Sequence, residues 1–323
     1  MTDPELRRRL SEAIVGEAKY TVDELMEVTD SKRELADALW LALGFPISSA
    51  DDGERQFAEI DAEQLRSLNA LLALDLVGRD TLLSMTRVMG QAMARLAAAQ
   101  VELFEDELVA LVEPDVEGLV NDEIRAAITE LLVPGVERFV AYCWRRHLLA
   151  NMNRRLDSDD TGVVIGFVDV VDFTRTTRQL EDDELARVVA RFERHVYETV
   201  TDSGARLRKL LGDGVMFDAP DAATAAGAAL ALVMRCAEDP HLEGARGGLA
   251  VGPALELEGD LYGETVNRAS RLAGLAFPNT VIADKAVGDT IHGQPGFAVR
   301  RLGTRPVKGL GRVDVSVIRP ALI

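Results

Sequence analysis

Three things are scarce in this chain of 323 residues: cysteine, positive charge and long uninterrupted apolar runs. The two cysteines, Cys143 and Cys236, lie far apart with no metal-ligand spacing, and they read as buried or inert thiols in a reducing cytosol. Lysine and arginine total 36 against 54 aspartates and glutamates, a net charge of −18. Such a balance argues against nucleic acid or an anionic membrane as a partner. No apolar stretch reaches membrane-spanning length without charges. The longest, Ala222 to Met234, is alanine-rich and fits a packed helix. The opening residues MTDPELRRRL lack the apolar core of a signal peptide. A soluble, cytoplasmic protein without membrane insertion is the expectation.

The length allows two domains with ample core, and the charge divides them. Residues 1–150 hold 29 acidic and 15 basic residues, net −14, and the remainder 25 and 21, net −4. Up to about residue 145 the pattern is helical with almost no strand signal. Thr21 or Asp23 is a candidate cap for a first helix, and Asp30 or Ser31 for a second carrying Leu35, Leu39 and Leu43 on one face. The polar run Ile47–Arg55 reads as a loop, and helices follow at about 61–76, 79–110 and 116–150. Met85, Met89 and Met93 fall on one stripe and are expected to pack in a core. The organisation expected is an all-helical domain over 1–145, a linker over 146–161 and a second domain over 162–323. His147 sits at that junction, either as a surface histidine or as a group that titrates at the boundary.

From Val163 onward the periodicities alternate, as in an α+β or α/β layer. Val163–Val168 reads as a buried strand with Asp169 at its mouth. Leu185, Val188, Phe192, Val196 and Val200 define an amphipathic helix. RLRKLLGDGVMF reads as strand, tight turn, strand, with Gly212-Asp213-Gly214 in the turn. A helix over 221–237, one strand over Gly247–Leu257, a helix over Glu264–Ala276 and strands at Thr280–Ala283, Phe297–Leu302 and Val313–Ile318 follow. If the hairpin flanks the first strand, Asp169 and Asp213 meet at one edge. Two carboxylates held close repel unless a cation lies between them, and hard oxygen donors suit Mg2+ or Mn2+.

The segments FVDVVDFT, KLLGDGVMF and DLYGETVNRASRL occur in an order and spacing that resemble the catalytic domain of class III nucleotidyl cyclases, specifically the adenylyl cyclases. The resemblance covers about half the chain, Gly162 to Ile318. More loosely, the first half resembles the helical regulatory domain ahead of the cyclase domain in some soluble actinobacterial enzymes. The resemblance implies an α+β catalytic domain with a ferredoxin-like, palm-like sheet, preceded by the all-α domain. It implies conversion of ATP to cyclic AMP with two Mg2+ or Mn2+ ions per site, at sites shared across a homodimer. Carried over by matching position, Asp169 and Asp213 bind metal, and the backbone through Phe173 and Thr174 cradles phosphate at a helix start. Lys209 and Asp260 read adenine, Asn267 orients the ribose, Arg271 stabilises the pentavalent phosphate, and Lys308 contacts the triphosphate. Asn267 and Arg271 stand four apart and share a helix face, whereas Arg268 lies on another and reads as structural. One departure stands out: the family commonly has glycine before Phe-Thr, and this chain has Asp172.

Two other readings use the same residues. A non-catalytic nucleotide-binding module on this fold usually loses a metal aspartate, the asparagine or the arginine, and none is lost here. A diguanylate cyclase carries an acidic Gly-Gly loop, which is absent. The regulatory input, whether pH, a lipid or a partner protein, is not written in the residues.

Overall fold

The computed structural model describes residues 8, 11–46, 53–103, 131, 133–157, 163–173 and 180–321, with Asp182 as backbone alone. The chain forms two compact units, Met1–Leu156 and Asp157–Ile323.

The first unit is helical: α1 (Val22–Thr29), α2 (Arg33–Leu43), α3 (Glu59–Ala73), α4 (Arg79–Leu103) and α5 (Val133–Asp157). Of the two candidate caps on α1, Thr21 is the one used. Its hydroxyl accepts from the Glu24 amide at 3.2 Å, and the Glu24 carboxylate accepts from the Thr21 amide at 2.9 Å, a reciprocal pair that satisfies two orphan donors. The second helix departs from expectation. Its N-cap is Lys32, without a side-chain bond, because Asp30 is instead the C-cap of α1 in the left-handed region at φ 49°. A small core joins Leu25, Leu39, Ala62, Leu65 and Leu82. The methionine stripe is not in it: Met85, Met89 and Met93 are 42, 54 and 44% exposed. α4 meets α2 through Leu82, which joins Leu39 in this core, and through Gly90, where a Cβ would lie 2.5 Å from the Leu43 carbonyl oxygen. That contact selects the neighbouring face and turns the methionines outward. α5 runs through most of the stretch expected as linker. The loop expected at 47–55 falls largely outside the described residues, as does the first part of the helix expected over 116–150, whose remainder is α5.

In the second unit the elements are β1 (Val163–Val170), α6 (Asp182–Asp202), β2 (Arg206–Leu210), β3 (Gly214–Ala219), α7 (Ala222–Glu238), β4 (Ala245–Gly252), β5 (Leu255–Leu257), β6 (Asp260–Tyr262), α8 (Glu264–Leu275), β7 (Val281–Asp284), α9 (Lys285–Ile291), β8 (Phe297–Val307) and β9 (Gly311–Pro320). Seven strands form one sheet in the order β2-β3-β1-β4-β7-β9-β8, and β5 and β6 form a separate hairpin. All pairings are antiparallel except β4 with β7. This is the mixed sheet with helices of the α+β class.

Alternation along β1 assigns the two faces. Val164, Val168 and Val170 pack with Phe192 and Val196 of α6 and the alanines of α7. Ile165 and Phe167 point the other way, onto Met216, Ala250, Leu261 and the α8 residues Ala269 and Ala273. α8 lies directly on β4: a Cβ on Gly248 would sit 2.1 Å from the Ala273 amide nitrogen and 2.2 Å from the Ala269 carbonyl oxygen. The single strand expected over Gly247–Leu257 is two elements. β4 ends at Gly252, Pro253 removes a ladder donor, and β5 turns back on β6. The helix α9, capped by the Asp284 carboxylate accepting from the Val287 amide at 3.0 Å, was not anticipated.

Candidate active site

Asp169 is the penultimate residue of β1, which ends at Val170, two residues past the strand end expected from sequence. It stands opposite Gly214 on β3 and Arg246 on β4. The Val170 amide donates to the Asp213 carbonyl at 2.9 Å, which draws the turn against the end of β1. Gly212 makes that turn at φ 76°. Gly214 leaves room for the carboxylate itself, since a Cβ there would lie 2.3 Å from Asp169 Oδ1. Both aspartates are half-buried. Burial, and then the charge of Asp213, push the Asp169 carboxyl above its ordinary 3.8, while Arg246 pulls it back. A carboxylate pair at odds with itself in this way fits a small divalent cation bound through hard oxygens. Among the described residues no cluster of three or more metal-ligating side chains occurs.

Arg246 was missed in the sequence. Its Nε is buried and has no hydrogen-bond partner among the described residues. The strand around it, ARGGLAVG, gives no hint of its position, because only the β1–β4 register sets it across from Asp169.

Lys209 on β2 forms an ion pair and hydrogen bond with Asp260 at the start of β6. Burial acts to raise the Asp260 carboxyl, but the Lys209 bond, the Leu261 amide and the charges of Lys209 and Arg208 outweigh it and hold it below the ordinary value. A β-bulge between Leu207 and Lys209 makes this pairing possible. It puts Lys209 opposite Met216, on the α8 face of the sheet, where strict alternation from Leu207 would send it into the opposite core.

Asn267 and Arg271 are exposed on α8, one turn apart. Arg268 turns elsewhere, its guanidinium donating to the Val251 carbonyl at 3.2 Å and lying 3.3 Å from the buried Asp284. The Phe173 side chain packs against the α6–α7 core. Thr174 lies outside the described residues. Lys308 is exposed in the β8–β9 turn, at the sheet edge opposite β2.

Thus the carboxylates meet, and the base-reading candidates meet, but the two sets remain apart. The cross-sheet row from Lys209 runs through Met216 to Phe167, both buried. Asp169 lies one row farther along the same face.

Fold and site together define an α+β domain with a carboxylate pair at a strand end and a helical unit ahead of it. No protein-family model matches the chain. The adenylate cyclase of Streptomyces coelicolor is 35% identical over 346 residues, spanning 97% of this chain and 89% of its own. That of Streptomyces griseus is 36% identical over 303 residues, spanning 91% and 74%. The adenylyl cyclase CyaB from P. aeruginosa, a crystal structure, matches 50% of this chain and 95% of its own at 20% identity, with a TM-score of 0.43. On its similarity to the Streptomyces proteins, this chain belongs to the adenylate cyclase family, of the class III nucleotidyl type that its motifs resemble.

Proposed function

We propose that the chain converts ATP to 3′,5′-cyclic AMP and pyrophosphate by attack of the ribose 3′-hydroxyl on the α-phosphate. The observation that carries this reading is the convergence of Asp169 with the Asp213 turn at the end of β1. Divalent ions, Mg2+ or Mn2+ and two per site, supply charge neutralisation and a lowered hydroxyl pKa when bound. Asp169 and Asp213 hold them. Lys209 donates to adenine N1 and Asp260 accepts from the exocyclic amine, an edge pattern that guanine reverses. Asn267 orients the ribose. Arg271 stabilises charge developing on the phosphate, and Arg246 adds a positive charge beside the carboxylates. Lys308 and the backbone of Phe173 and Thr174 contact the triphosphate.

The sites are completed between two copies of the chain. In support, the row from Lys209 runs across the sheet through buried Met216 and Phe167, with Asp169 one row farther along the same face, and Lys308 stands at the far edge. A cytoplasmic setting follows from ATP as substrate, and among the described residues no helix is long and apolar enough to cross a membrane.

The helical unit controls the rate by inhibition. Its concentrated negative charge suits relief at acid pH, where protonation reduces self-repulsion. A chain starting at Asn151 is then faster, with a flatter pH profile; an unchanged rate and profile would reject this control.

The direct test incubates the purified protein with ATP or GTP and Mn2+ and identifies the products. Cyclic AMP from ATP, abolished by EDTA, is expected. No cyclic product, or turnover indifferent to EDTA, overturns the reading.

A further inference from the structure

The β5–β6 hairpin carries Asp260 yet shares no ladder with the main sheet. Its two-residue turn, Glu258-Gly259, has both φ values positive, at 53° and 82°, the twist that tight hairpins prefer. What ties it down beside Lys209 is Arg208. This is the bulged residue of β2, and its side chain is 5% exposed. On the sheet side it hydrogen-bonds Asp218 of β3. On the hairpin side it donates to the Glu256 carboxylate at 2.7 Å and to the Gly259 carbonyl at 3.3 Å. Gly259 is the residue immediately before Asp260. Arg206 reinforces both anchors, 3.0 Å from Asp218 and 3.5 Å from Glu256.

We propose that Arg208 is the positioning residue for base selection: anchored on Asp218, it grips the peptide ahead of Asp260 and holds that carboxylate opposite Lys209. The guanidinium fork suits the task, because it serves three acceptors in fixed directions where a lysine offers a point charge. Without it, Asp260 rides on a hairpin held by the buried Leu261, by Arg206 at Glu256 and by Lys209 itself. The base then meets an acceptor whose position is no longer set, and discrimination between adenine and guanine falls. This inference rests on the assignment of Lys209 and Asp260 as the base-reading pair.

The test compares wild type, Arg208→Met, Glu256→Gln and Lys209→Met as full chains. It measures ATP and GTP affinity by competition against a fluorescent ATP analogue with Mn2+, kcat and KM for each nucleotide, and the thermal midpoint. Methionine keeps the apolar stem, and Asp218 keeps Arg206 as partner, so the fold should survive. Arg208→Met is expected to lower ATP affinity roughly tenfold, as for one lost charged contact, with GTP affinity unchanged. Glu256→Gln should move the ATP/GTP ratio the same way by less. An unchanged ratio in folded Arg208→Met, or an equal fall for both nucleotides, overturns the proposal while Lys209→Met shows whether the base pair itself stands. If Lys209→Met leaves the ratio unchanged, the base-pair assignment fails and the proposal with it. If Arg208→Met does not fold, Glu256→Gln decides: an unchanged ratio there is equally fatal.

Discussion

Asp172 is the residue at which this chain departs from the family pattern, and its backbone accounts for the departure. It sits at φ 53°, in the left-handed region that glycine enters freely and aspartate or asparagine enters at modest cost. The position demands a conformation rather than a missing side chain, and the Asp172 side chain is exposed. Asp169 is under the opposite kind of constraint, an electrostatic one. Its carboxyl is pushed up by burial and by Asp213, so at neutral pH its ionised form works against the metal-free fold. Asp169→Asn should therefore raise the thermal midpoint measured in EDTA, while cyclase activity falls on the order of 10²–10³-fold or more, as when a charge-stabilising contact is lost. Asp213→Asn should lose activity likewise. A variant that retains activity in the presence of Mn2+, or that is less stable than wild type in EDTA, contradicts this account.

At the level of elements, the helix layer on the back of the sheet is tied by a polar contact outside the site. Asp239, at the end of α7, is 5% exposed in its side chain and accepts from His195 of α6 at 2.8 Å and from the His241 amide at 2.9 Å, with Arg191 at 3.8 Å. Burial alone would raise its carboxyl; the His195 bond, the His241 amide and the Arg191 charge more than reverse that and hold it below 3.8. A depressed carboxylate contributes stability above its unfolded value and loses it as pH falls through the folded one. Asp239→Asn should then cost about 1.5–3 kcal/mol at pH 7, the range for a hydrogen bond to a charged group. The gap between variant and wild type should close below pH 3.8. Urea titrations at pH 7 and at successive steps below pH 3.8 measure both, and a gap that does not narrow across those steps removes the charge from the explanation. On the other face, Gly248 lets α8 rest on β4 at backbone distance, and that contact fixes the helix from which Asn267 and Arg271 project.

For the whole molecule, the proposed shared-site arrangement has one chain supply two half-sites, which a closed two-fold pair would join to their complements. Asp213→Ala and Asn267→Ala should each be inactive alone, since every site then lacks one part. Co-expressed, a heterodimer has one site with both defects and one with neither, so activity should return to about half per heterodimer on a two-site count. Heterodimers that form without recovering activity, or a full-length monomer active at high dilution, defeat the shared-site arrangement.

Several features were decided by the sequence alone because their causes are local. The apolar run ending in Asp169, the Gly212-Asp213-Gly214 turn, the spacing of Asn267 from Arg271 and the helical period of the first half each depend on neighbours within a few residues, and the structure places the elements where those patterns put them. Tertiary structure decided the rest. Met85, Met89 and Met93 are apolar at helical spacing, yet Gly90 against Leu43 chose the adjoining face for the core. Arg246 gained its place beside Asp169 from strand register. Lys209 reached Asp260 because a bulge at Arg208 turned it to the α8 face. A one-residue slip sends a strand side chain to the opposite face of its sheet. Register is set by partners far away in the chain, and for that reason no local pattern could reveal that Arg206, Arg208 and Lys209 of RLRKL would all reach the hairpin.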